Sequence, residues 1–152
     1  MGLEDDIAFL ERVPTFSMLG KPALRILAIG AETRRLPSGA VLFYAGEPAD
    51  GGYVVLAGSL LLDPGTSSDG KEDIVGRGAL IGEMALLTDI VCPATATANE
   101  PTVVIRISRS LFLKMLDGYP AAAKKLRDIM AQRLDAWTRE LANVKRGLNR
   151  GE

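Results

Sequence analysis

The stretch Gly46-Glu47-Pro48-Ala49-Asp50-Gly51-Gly52-Tyr53-Val54-Val55-Leu56-Ala57-Gly58-Ser59-Leu60 decides how the chain reads. Gly46-Glu47-Pro48 and Gly51-Gly52 are turn signals, because glycine reaches backbone conformations closed to other residues and proline fixes its own. Tyr53 to Ala57 is then a short aromatic and β-branched run, and after Gly58 a second run continues from Ser59 to Asp63. Two such runs separated by a tight glycine break predict a pair of strands. The apolar text from Tyr53 to Leu62 is half as long as a membrane span, at about 20 residues, and Gly58 and Ser59 interrupt it. It therefore predicts strands in a core and no transmembrane segment.

The same grammar extends outward. Thr33 to Leu36, Ala40 to Tyr44, Glu72 to Val75, Ala94 to Ala98 and Thr102 to Ile107 are further short β-rich runs, divided by Pro37-Ser38-Gly39 and by the polar stretch from Pro64 to Lys71. Upstream, Leu3, Ile7 and Leu10, then Leu24, Leu27 and Ala31 behind Pro22, form apolar stripes at helical spacing. Downstream, Ser108 is placed to cap a short helix through Leu111, Phe112, Met115 and Leu116 that Gly118 ends, and Pro120 opens a longer one. The expected fold class is mainly β with flanking α. It is a β-roll (double-stranded β-helix or jelly roll) with N-terminal helices and a long C-terminal helix. The expected organisation is one domain, residues 1–152, made of N-terminal helices over 1–31, the roll over 32–107 and C-terminal helices over 108–152.

In the last helix Leu126, Met130, Leu134, Trp137, Leu141, Val144 and Leu148 follow one another at intervals of 4, 4, 3, 4, 3 and 4. That alternation keeps one seam facing a partner helix. The stripe can pack on its own roll, or its distal half can pair with a second copy. A helix of roughly 30 residues is about 45 Å long and outreaches a small body. Leu134, Trp137, Leu141 and Val144 are therefore read as a homodimer interface.

Composition excludes more chemistry than it suggests. With no histidine, the chain has neither an imidazole ligand for a metal nor a histidine general base. Acids such as Glu4, Asp5 and Asp6, or Glu72 and Asp73, lie in terminal or loop-like text and read as solvated surface. No catalytic residue, metal site or cofactor is expected. Cys92 is the single cysteine, so no internal disulfide forms; with acids opening the N-terminus, a cytoplasmic protein is expected. Cys92 has no neighbouring base in sequence to activate it and reads as an inert loop or core residue. From Pro120 to Glu152 eight bases face four acids, which leaves residues 1–119 acidic for a total of −1. The basic tail reads as a solvated helical face.

A second block, Gly78-Ala79-Leu80-Ile81-Gly82-Glu83-Met84-Ala85-Leu86-Leu87, joins the first. Together, inside a short-strand sequence of this element order, they resemble the glycine-punctuated hairpin and the phosphate-binding cassette of cyclic-nucleotide-binding domains. The resemblance runs from about Phe9 to Leu141. It implies that Gly82 faces the ribose, that Glu83 accepts a hydrogen bond from its hydroxyl, and that Met84 and Ala85 offer backbone groups at the start of a short helix, where amides favour an anion. Read without the resemblance, Gly82 and Glu83 form a turn and cap.

The chain departs from the family at Cys92-Pro93-Ala94-Thr95-Ala96-Thr97-Ala98. The family pattern has Pro-Arg before a run of small residues, the arginine pairing with the cyclic phosphate; Ala94 stands in its place, with Thr95 beside it, or Cys92 does in a second alignment. Either way no Lys or Arg occurs between Arg77 and Arg106, and Asp89 adds a negative charge to the same loop. The expectation is a non-catalytic sensor or regulatory module in which Gly82, Glu83, Met84, Ala85, Ala94 and Thr95 surround a small ligand, and cyclic AMP or cyclic GMP binds weakly or not at all. The alternative is a structural homodimerisation or partner-docking module with a decayed pocket. Family transcription factors carry a helix-turn-helix after the long helix, for which the 32 residues beyond Pro120 leave no room, so no specific DNA binding and no membrane association are expected.

Overall fold

A computed structural model describes residues 2–65 and 71–132. Helices α1 (Leu3–Glu11) and α2 (Lys21–Gly30) lead into ten strands. The longer ones are β1 (Glu32–Leu36), β2 (Val41–Phe43), β4 (Gly51–Ala57), β5 (Ser59–Asp63), β6 (Asp73–Gly76), β9 (Thr95–Ala98) and β10 (Thr102–Ser108). Each expected strand is present, and three two-residue strands join them: β3 (Pro48–Ala49), β7 (Leu80–Ile81) and β8 (Ile90–Val91). Helix α3 (Arg109–Gly118) follows, and α4 runs from residue 120 through 132, the last one described.

The strands form two antiparallel sheets, β1-β10-β4-β7 and β2-β9-β5-β6, with β3 and β8 paired as a separate ribbon. Between Ala57 and Ser59 the chain passes from one sheet to the other. Gly58 makes the corner at φ +83°, where a side chain would run into Thr102 and the Pro101 carbonyl. Ser59 is held there by Thr102: its amide donates to Thr102 Oγ1 at 3.2 Å, and that hydroxyl lies 3.0 Å from the Ser59 carbonyl. This is the β-roll expected from the strand spacing, with helices at both ends.

The strand pair β4 and β10 is buried on both faces, which explains its nearly continuous apolar text. Val54, Ile105 and Ile107 face the helices and pack with Leu10, Phe16, Leu24, Leu27, Phe112 and Leu126. Val55 and Val104 face the opposite way, meeting Leu60 and Ala98 inside the roll. Ser108 caps α3 as expected, its Oγ accepting from the Leu111 amide at 3.1 Å. In α4, Ala122 and Leu126 are buried against the helical layer. The expected dimer seam, Leu134, Trp137, Leu141 and Val144, lies outside the described residues.

Candidate functional site

A cavity of about 520 Å³ opens between strands of the roll and the segment Gly82–Met84. That volume lies within the range of small-molecule sites. Its apolar wall includes Leu62, Val75 and Leu80 and an aromatic pair, Phe43 and Tyr53, whose ring centroids are 5.6 Å apart. The cassette forms one side. Gly82 follows β7 at φ +79°, and a Cβ there would sit 3.0 Å from the Gly51 carbonyl. After it, Met84–Leu86 is a single 3-10 turn. Ala85 and Leu86 of this turn are buried, while Met84 is half exposed at the cavity.

Of the residues expected to surround a ligand, Gly82, Glu83, Met84 and Ala94 do line this cavity. Ala85 and Thr95 are not among its lining residues. Ala85 packs inward, and its amide is taken by the Gly82 carbonyl at 3.0 Å. The Thr95 hydroxyl accepts from the Ala45 amide at 2.9 Å, so it fastens the loop after β2 to β9. Glu83 Oε2 accepts a hydrogen bond from buried Thr15 Oγ1 at 3.0 Å, so this carboxylate reaches the connection between α1 and α2 as well as the cavity. Nothing in the text around Thr15 signals that contact.

Both positions that could hold the family arginine, Cys92 and Ala94, line the cavity, and its described lining contains no Lys or Arg. The nearby bases are committed elsewhere. Arg106 Nη2 lies 2.7 Å from Asp50 Oδ2, with Glu32 at 3.9 Å. Burial works against the Arg106 charge, but its hydrogen bonds and charge contacts with Asp50 and Tyr53 outweigh that and keep its pKa above the usual value. Arg77 stacks over the Phe9 ring at 5.2 Å. Arg109, which the strand-by-strand reading passed over, sits behind the cassette. Its guanidinium donates to the Ala85 carbonyl at 2.9 Å, the Ala49 carbonyl at 2.5 Å and Asp89 Oδ1 at 2.6 Å. The negative charge of Asp89 is thus met by an arginine that is not among the cavity's lining residues.

Cys92 is buried at the cavity edge, and burial first, then the charges of Glu47 and Asp50, push its thiol pKa up. The thiolate is correspondingly disfavoured.

Residues 33–119 match the family described as "Cyclic nucleotide-binding domain", and the chain belongs to that family. It is 34% identical over 112 residues, 71% of its length, to the "Cyclic AMP receptor protein" of Thermus thermophilus, and covers 51% of that relative. A cyclic nucleotide-binding-like protein from Brucella abortus is 38% identical with a TM-score of 0.64, over 74% of this chain and 98% of that one. The N-terminal domain of a transcriptional regulator from Streptomyces coelicolor aligns with a TM-score of 0.78 at 30% identity, over 88% of this chain and 94% of that one. The chain spans a small part of other curated relatives, such as 8% of the Aspergillus terreus "Lysophospholipase nte1", to which it is 29% identical. Among the described residues no helix is long and apolar enough to cross a membrane.

Proposed function

We propose that this chain is a non-catalytic regulatory module that senses a small ligand in the β-roll cavity and holds cyclic AMP or cyclic GMP weakly or not at all. The observation that carries this reading is an open cavity lined by Gly82, Glu83, Met84 and Ala94 with no cation in its described lining. A charge-assisted hydrogen bond to phosphate contributes roughly 1.5 to 3 kcal/mol. Recruiting Arg106 or Arg109 instead would break an ion pair that each already makes. The openness of the cavity favours a sensor over a decayed structural module. Met84 stands at its edge without closing it, and Leu87 packs with the helical layer.

The absence of histidine supports a binding role over catalysis. Relatives named as a cyclic AMP receptor and a "cAMP-dependent protein kinase regulatory subunit" support regulation as the inherited task. The seam at Leu134, Trp137, Leu141 and Val144 supports a homodimer, and the acidic net charge supports only weak, non-specific contact with DNA in a cytoplasmic setting.

Calorimetric titration with cyclic AMP and cyclic GMP tests the reading. The parent is expected to bind feebly. Ala94→Arg is expected to gain roughly ten- to a hundredfold, and Glu83→Ala in that background to lose the gain. Tight binding by the parent would overturn the proposal.

A further inference from the structure

On the reading that the cavity is a ligand site, we propose that it takes an amphipathic organic cation, its flat apolar body against Phe43 and Tyr53 and its ammonium group among the carboxylates of Glu47, Asp50 and Glu83. All five residues line the same space. The two rings stand 5.6 Å apart, tilted by 35°, and form a wall suited both to an aromatic body and to cation–π attraction.

Charge separates the candidate ligands. Three carboxylates line the cavity, with no Lys or Arg in its described lining. Arg106 answers Asp50. Glu47 has no ion pair among the described residues; its Oε1 accepts the Tyr44 amide at 2.7 Å, a dipole that leaves the charge in place. Arg109 contributes little positive field, because Asp89 pairs with it. Burial first, and then the charges of Glu47 and Asp50, raise the pKa of Cys92 at the cavity edge, in keeping with carboxylates on this side of the cavity. A field that opposes one anion opposes a phosphate too and attracts a cation. A neutral apolar ligand would satisfy the walls and leave the charge of Glu47 unanswered by any ion pair among the described residues, and an anion would meet repulsion.

Three probes with one indole body separate these cases by calorimetry on the intact chain near neutral pH: tryptamine, which is a cation, tryptophol, which is neutral, and indole-3-acetate. Tryptamine is expected to bind best, by roughly tenfold over tryptophol at low salt, with indole-3-acetate weakest. Adding about 0.5 M salt should shrink the gap, because Glu47 and Asp50 are exposed. Glu47→Gln should narrow the ratio of tryptamine to tryptophol affinity severalfold. Equal or tighter binding of tryptophol, preference for indole-3-acetate, or no binding of any probe at millimolar concentration would overturn the assignment. Cyclic AMP titrated in parallel keeps the two readings apart. Its tight binding would defeat the broader one, whereas an unselective response to the indoles with feeble cyclic AMP binding would defeat only this one.

Discussion

Arg109, the first residue of α3, reaches back to Asp89 in the cassette loop, with Nη1 2.6 Å from Oδ1. The contact joins the helix to the rim of the cavity, but the energetic weight falls elsewhere. The Asp89 side chain is 96% exposed, so its pairing is well screened, whereas the Arg109 side chain is 19% exposed and its guanidinium also satisfies the carbonyls of Ala85 and Ala49. Arg109→Met is expected to destabilise the fold by about 2 to 3 kcal/mol, or roughly 5 to 10 °C in Tm for a chain of this size. Asp89→Asn is expected to move Tm by only about a degree. Thermal melts of both variants check the contrast, and equal losses would place the weight on the ion pair.

Two glycines of positive φ offer a controlled comparison. Gly78 has φ +90° with open space where a Cβ would go, while Gly82 has φ +79° with the Gly51 carbonyl 3.0 Å away. Gly78→Ala carries only the backbone cost, about 1 to 2 kcal/mol. Gly82→Ala should cost more and should disturb the cavity, since Gly82 lines it. Chemical denaturation measures the difference; a Gly82→Ala loss no larger than that of Gly78→Ala would mean that the carbonyl yields freely.

Cys92 should resist thiol reagents at neutral pH, because burial and the charges of Glu47 and Asp50 raise its pKa. Its alkylation rate should keep rising above the pH at which a free thiol levels off, near about 8.5. Glu47→Gln should accelerate it. The sign for stability follows from linkage: the folded chain holds this proton to higher pH than the unfolded chain, so the contribution is full below the ordinary thiol pKa and is lost as pH rises through the folded one. A pH series of alkylation rates with and without the substitution tests both points.

For the seam beyond the described residues, Trp137→Glu is expected to convert a dimer into folded monomers, because an unpaired charge must then leave water at the interface. Sedimentation of parent and variant decides it; a monomeric parent assigns the stripe to its own subunit.

How far the sequence discloses this molecule depends on length scale. Strands of three or more residues carry enough β-branched and aromatic text to be found, and the Ser108 cap and the Gly118 end of α3 obey local rules. Pro48–Ala49, Leu80–Ile81 and Ile90–Val91 are too short for any period to register, yet they frame the cavity. The stretch without Lys or Arg between Arg77 and Arg106 is legible because it is a matter of composition. The roles of Arg109, Thr15 and Thr95 are not, since each is fixed by a partner 20 or more residues away that only folding brings near.

The hydrogen bond from Thr15 to Glu83 gives the cavity and the N-terminal helices a shared member. An occupant that binds more tightly when the Thr15–Glu83 hydrogen bond is closed than when it is open must, by reciprocity, hold that bond closed by the same free energy. Amide exchange in α1 and α2 is then expected to slow when the cavity fills, a readout that needs no label on the ligand.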